Sequence, residues 1–290
     1  NYREYVEEAV ACSCDRFAKN AELSFIYDLC QEIPERVISD ILGIRLSYMR
    51  EIRELAVNVG AGIPLLFDKR DGSRIDRACH ELEISVTDLV QSDRHAQVGK
   101  VLRDVSEAHA SGASVDEYIA NLMLLLVAGV NTTRNALSTI FLFLMRDADL
   151  WQQVKDRPSC IEGVVSESLR FDPAVGAVPR VALEDIEVSG CKISKGTHVI
   201  LSLSSALQDP EVFDKPEEFL PNRSNIRLSD LRFGKGFHRC VGQPLARNMI
   251  EETIRYISQS YPHASLSESN LNYTTFGGLR RIERLPVVLR

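Results

Sequence analysis

Residues 233–247 read Phe233-Gly234-Lys235-Gly236-Phe237-His238-Arg239-Cys240-Val241-Gly242-Gln243-Pro244-Leu245-Ala246-Arg247. Gly234, Gly236 and Gly242 remove Cβ atoms, so the backbone can turn sharply and approach a flat ligand closely. A helical pattern opens near Val241. Its positive end favours the anionic form of a sulfur held just before it. The competing reading is bland: Cys240 is one of seven cysteines, and a lone cysteine is usually a small buried hydrophobe.

The spacing Phe-Gly-x-Gly-x-His-x-Cys-x-Gly, then Pro-Leu-Ala-Arg, closely resembles the cysteine-ligand loop of the cytochrome P450 superfamily in its bacterial form. The resemblance implies haem b as cofactor and Cys240 as the axial thiolate of its iron, a ligand that favours O–O cleavage. It further implies that Phe233 shields the sulfur, that Gly234, Gly242 and Ala246 lie against the haem, and that Arg180 and His238 hold its propionates. For Arg180 the alternative is a solvated arginine at a strand end.

Three further stretches match the same family in order. In Glu167-Ser168-Leu169-Arg170 the two charges are three residues apart and share a helix face. Ser159 with Glu162 reads as the capping box that opens this helix, and Pro173 closes it. Taken alone the pair is an ordinary surface contact worth little. The resemblance makes it the Glu-x-x-Arg lock of the core, with Arg223 of the later segment 209–223 as third member and a structural role.

In the second stretch, Leu122 to Thr133, the apolar residues run nearly all round a helix opened by a Ser114/Glu117 capping box. That pattern predicts burial, and the run is too short to span a bilayer. Gly129 inside a helix costs roughly 1 kcal/mol relative to Ala. Thr132 by itself reads equally as a threonine back-bonded to the helix. The resemblance implies that Ala128 and Gly129 make room for dioxygen and that Thr132 relays protons. The family commonly carries an acid where this chain has Asn131, and an amide does not exchange a proton near neutral pH. Proton delivery then rests more on Thr132 and water.

The third stretch, Phe276 to Leu289, resembles the family's closing hairpin. With it the resemblance places the substrate pocket at Leu125, Thr133, Ala174, Val175, Gly176, Ala177, Val178, Thr274, Thr275 and Phe276. Those side chains are mostly small or apolar, which suits a small hydrophobic substrate.

Composition sets the outer bounds. The 290 residues carry 44% apolar and 26% charged side chains with a net charge of −7, ordinary for a globular protein and without the footprint of a nucleic-acid binder. No repeat or linker is visible, so residues 1–290 are read as a single domain. The seven dispersed cysteines show no zinc spacing and fit reduced thiols in a cytoplasmic protein. Apolar periodicity predicts helices over 5–17, 30–42, 48–57, 75–91, 98–108, 115–145, 160–170 and 244–258, and short strands over 186–190 and 197–203. The expected fold is mainly α with a minor β part: a P450-like fold lacking the family's usual N-terminal portion. A fragment, or a short form completed by a partner or by self-association, would both read this way.

The leading function is a haem-thiolate monooxygenase that takes electrons from a ferredoxin or a flavin reductase. Lys235, Arg239 and Arg247 are its candidate contacts to an acidic partner. The alternatives are a haem-thiolate peroxygenase, isomerase or coupling enzyme, and a non-catalytic activator of a partner enzyme.

Overall fold

A computed structural model describes residues 2–20, 22–62, 72–91, 114–268, 272–276 and 279–290. The expected helix over 98–108 lies outside the described residues. In chain order the helices are α1 (Tyr2–Ala18), α2 (Glu32–Leu42), α3 (Leu46–Glu51), α4 (Arg53–Gly62), α5 (Gly72–Gln91), α6 (Val115–Arg146), α7 (Ala148–Asp156) and α8 (Ile161–Phe171). Strands β1 (Ala177–Val181), β2 (Ile186–Val188), β3 (Cys191–Ile193) and β4 (His198–Ser202) follow. Then come a short α9 (Leu203–Ala206), the long α10 (Gln243–Ser260), and strands β5 (Ser265–Leu266), β6 (Asn272–Phe276), β7 (Leu279–Arg284) and β8 (Val287–Val288).

Helix α6 organises the rest. Its 32 residues extend about 48 Å at 1.5 Å per residue. The Ser114/Glu117 capping box is formed in full. From Val130 to Leu144 the helix is buried on almost every side. Its earlier half is not: Leu124 is 57% exposed and Leu125 37%. The expectation of burial all round Leu122–Val130 therefore fails on one face, because apolar content does not say which face finds a partner.

Two apolar clusters flank this helix. One joins α1, α8, α10 and the C-terminal strands to the second half of α6, and includes the edge-to-face series Phe17–Phe25–Phe141. The other packs α3, α4 and α5 against its first half. Between them α2 carries two buried acids. Glu32 accepts from Arg16, Arg36 and Arg50. Glu35 takes a two-point bond from Arg53, at 2.8 and 2.7 Å.

Local signals were uneven guides. Gly43 ends α2 in the left-handed conformation (φ 69°), as its position suggests. Ser189 and Gly190, both at positive φ, form the two-residue turn between β2 and β3. The capping box at Ser159 does not form: residues 158–160 make a 3₁₀ turn, and α8 starts at Ile161 behind Cys160 with no side-chain cap. The expected helix over 48–57 divides at Ile52 into α3 and α4. Helix α7, capped by Asp147 on the Leu150 N–H, was not anticipated, and neither was β1, which pairs antiparallel with β4.

The segment from Gln208 to Asn225 has no strand or α-helix, yet it is tied down from within. Glu167 and Arg170 on α8 are fully buried, and Arg223 nearly so. Arg170 holds both oxygens of Glu167 at 2.8 and 2.9 Å. Arg223 Nε reaches Oε1 at 2.8 Å, and the Leu220 N–H donates to the same oxygen at 2.9 Å. The remaining guanidinium donors go to backbone carbonyls of Leu207, Asp214, Lys215, Pro216 and Glu218. Every arm of the cluster is thus spent on fixing an irregular chain. A surface pair would be worth little; removing one partner from a buried one costs about 3–5 kcal/mol.

Burial pushes the Glu167 carboxyl upward, but Arg170, the Leu220 N–H and Arg223 outweigh it and hold the group below its usual range. A lowered folded pKa gives stability that is present above the unfolded value, ~4.3, and lost as pH falls through the folded one. Glu167→Gln is therefore expected to lose about 3–5 kcal/mol at pH 7 in urea unfolding. Its deficit against the wild type shrinks in acid. A deficit that stays constant down to the acid transition would contradict this.

Candidate active site

The glycine-rich loop is shaped by two residues that only glycine suits. Gly234 has φ 76° and ψ 178°, and Gly236 has φ 74°. The first pair of angles lies in a region essentially closed to other residues. Gly242 differs: its φ of −80° is ordinary, and an added Cβ would sit 3.8 Å from the Cys240 sulfur, a normal contact. The tight turn thus depends on the first two glycines. The Cys240 N–H donates to Phe233 O at 2.7 Å and closes the loop. Helix α10 starts at Gln243, between the opening near Val241 and the span 244–258 expected of it. Cys240 is exposed and, like the other six cysteines, a free thiol.

A cavity of about 520 Å³ lies between this loop, α6, the chain after α8, and the β1–β4 pair. Cys240, Phe233, Gly234, Lys235 and His238 line it from the loop, and Ala246 from α10. Thr132 and Thr133 line it from α6, with Ala174, Val175, Val178 and Arg180 on the adjoining wall. Sequence reasoning missed other lining residues: Ala136, Leu169, Leu201, Leu203, Leu231, Arg232 and Ile250. Leu201 lies on β4, and Leu203, the last residue of the strand expected over 197–203, opens α9 instead.

Several expected residues lie elsewhere. Leu125 and Ala128 are exposed and do not line the cavity, although they share the face of α6 that ends in Thr132. Gly129 faces α2, where an added Cβ would meet Ile38 at 3.0 Å, so close helix packing accounts for this glycine. Asn131 also turns away. It is buried in a small hollow of mixed character, with Gln31, Glu35 and Arg53 beside Met49, Ile52 and Leu126, and its Oδ1 has no hydrogen-bond partner among the described residues. Gly176 and Ala177 belong to the backbone that leads into β1 and pairs with β4. Thr274, Thr275 and Phe276 form β6, paired with β7, and their side chains lie outside what the structure describes, so their place in the pocket stays an expectation.

Several polar groups at or near the cavity have definite partners. Thr132 Oγ1 donates to Ala128 O at 2.8 Å, the back-bond that competed with its functional reading. Arg180 donates to Pro179 O at 2.7 Å from an exposed position. Arg239 rests on Gln243 Oε1 at 3.0 Å. Arg247 is not a free surface cation: it donates to Ser166 at 2.7 Å and lies within 4 Å of Glu162, Asp230 and Glu251. Among the described residues no His, Cys, Asp or Glu group of three could hold a metal ion, and no helix is long and apolar enough to cross a membrane.

Comparison with known proteins follows from this geometry. The family profile described as Cytochrome P450 matches residues 159–278, which contain α8, the arginine-tethered segment and the cysteine loop. A plant-inducible cytochrome P450 of Rhizobium radiobacter is 28% identical over 291 residues, 99% of this chain and 68% of that one. Cytochrome P450 133B1 of Xylella fastidiosa is 34% identical over 286 residues, covering 95% and 69%. Among solved structures, P450BioI in complex with an acyl carrier protein superposes with a TM-score of 0.90 at 26% identity, covering 100% of this chain and 74% of that one.

The loop makes its own prediction. Gly234→Ala puts a side chain at φ 76° with its Cβ 3.3 Å from His238 O. The expected cost is about 1–3 kcal/mol in stability, with increased protease cleavage between residues 233 and 242. An unaltered unfolding midpoint would show that the loop tolerates other backbone angles.

Proposed function

Because this chain belongs to the cytochrome P450 family, we propose that it is a haem-thiolate monooxygenase that oxidises a small hydrophobic organic substrate. One observation carries the reading: Cys240 stands on a loop of forced geometry at a largely apolar cavity, with the Thr132 hydroxyl on another wall. The residues suit haem b. The cavity brings a sulfur donor, cationic or donor groups from Arg180 and His238, and aliphatic walls to one space. Its size falls in the usual range for cofactor sites, roughly 300–1,000 Å³.

When bound, the haem supplies an iron centre whose thiolate ligand promotes cleavage of the dioxygen bond. The chain's residues do the rest. Cys240 Sγ would be the iron's ligand, and the loop fixes where the sulfur stands. Phe233 covers the sulfur side, while Arg180 and His238 hold the propionates. Val175, Val178, Ala174 and Thr133 exclude water and bind an apolar substrate by surface burial. Thr132 Oγ1 holds a proton at the cavity wall. A threonine in a helix divides between two χ1 rotamers, so this hydroxyl can leave the Ala128 carbonyl and point inward. Asn131, turned into the opposite hollow, takes no part in that transfer. Electrons come from a ferredoxin or flavin reductase, met by the exposed Lys235 and Arg239 beside the loop.

Turnover tests the reading. Wild type supplied with surrogate ferredoxin, reductase and a panel of small hydrophobic compounds is expected to form oxygenated product with dioxygen. Thr132→Ala is expected to divert about tenfold more of the electrons to peroxide, within the contribution of a positioned proton donor. Product formation from added peroxide alone, with none from reductant and dioxygen, would replace the monooxygenase by a peroxygenase.

A further inference from the structure

Beside Cys240 the cavity wall contains a charge that the chemistry above leaves unused. Arg232 directly precedes Phe233, lines the cavity, and has a side chain only 3% exposed. Burying a guanidinium is costly unless its donors are met and its charge is paired. Here neither is complete. One nitrogen donates to Ser229 Oγ. Another reaches Asp230 Oδ1 at 3.3 Å, long for a charge-assisted bond. That carboxylate is 39% exposed and is shared with Arg247 at 3.8 Å. Nε is buried with no partner among the described residues. The guanidinium carbon lies 5.1 Å from the centre of the Phe233 ring, a cation–π contact that spreads the charge without cancelling it.

The surroundings add to the excess. Burial and then the nearby Arg247 push the Arg232 pKa down to about 10, against the smaller pull of Asp230 and Glu167. At neutral pH the group remains a cation. Buried cations in folded proteins are normally matched by an anion within reach; the described residues offer the half-solvated Asp230 and Glu167, whose carboxylate is already held by Arg170 and Arg223. The open side of the arrangement is the cavity that Cys240 and Phe233 also line.

We propose that Arg232 is a positioning residue for the anionic haem-thiolate unit, whose buried charge, carried beside Phe233, strengthens cofactor retention and raises the iron's reduction potential. The inference rests on the reading that haem occupies this cavity. A fixed positive charge favours whichever state holds the extra electron, so it stabilises ferrous over ferric iron. In a low-dielectric site it is weakly screened.

The test compares haem-loaded wild type, Arg232→Gln, Arg232→Lys and Asp230→Asn. Reduction potentials are read by spectroelectrochemical titration, haem loss by transfer to an excess of apo-globin, and folding by thermal unfolding of the haem-free proteins. Arg232→Gln is expected to shift the potential negative and to release haem about tenfold faster, the loss of one charged contact. Arg232→Lys keeps the potential near wild type because it keeps the charge. Asp230→Asn strips the partial counter-charge and shifts the potential positive, by less because Asp230 is half-solvated. A potential unchanged in Arg232→Gln, or Arg232→Lys behaving as Arg232→Gln, overturns the inference. Should Arg232→Gln fail to fold, Asp230→Asn decides: no positive shift overturns it. A wild type that takes up no haem overturns the functional reading and this inference together, whereas a haem-loaded wild type with insensitive variants overturns the inference alone.

Discussion

Glu167 is a fully buried carboxylate held by two arginines and a backbone N–H, and the position of the cysteine loop follows from it. The arginines do not merely neutralise the acid. Their remaining donors bind carbonyls along residues 207–218, a stretch with no sheet to order it. That stretch continues through residues 226–233 into Gly234 and Cys240. A segment without regular hydrogen bonding is normally mobile and solvated. Here a buried ionic node replaces the missing ladder, so the Cys240 sulfur stands on irregular backbone at a fixed place. The cost of desolvating three charges is offset only because every arm is occupied.

Helix α6 divides its labour by face. One face, ending in Thr132 and Thr133, meets the cavity. Gly129, one turn before Thr133, packs against Ile38 of α2, and Asn131 points away from the cavity into the hollow of Glu35 and Arg53. Residues 129 to 131 therefore serve packing, and Thr132 and Thr133 line the cavity. An acid at position 131 would face the Glu35 carboxylate in this hollow, where Arg53 is already engaged. Asn131 is thereby accommodated as a neutral neighbour of a completed ion pair.

What could be read from the residues divides along the same physical lines. Gly234 and Gly236 were legible because a positive φ leaves a direct mark on residue choice. The Glu167–Arg170 pair was legible as a spacing, yet its burial was not, since an isolated pair looks the same on a surface. Arg223 came only through the family resemblance. The facing of Gly129 and Asn131 could not be read because it depends on where α2 packs, a non-local fact. Leu124 and Leu125 misled for that reason. The capping box at Ser159 misled differently: Pro158 imposes a 3₁₀ turn that takes the serine out of position. Arg232 carried a weak signal that went unused, an arginine set directly before the aromatic residue of the loop.

A bond between the Cys240 sulfur and haem iron underlies the proposed chemistry, and the absorption spectrum of the reduced, carbon-monoxide-bound protein reports on it without reference to any substrate. The account predicts the long-wavelength Soret band of a thiolate-ligated haem in the wild type and its loss in Cys240→Ser with haem still bound. The same band in Cys240→Ser, or a wild-type spectrum of the imidazole-ligated kind, would contradict it.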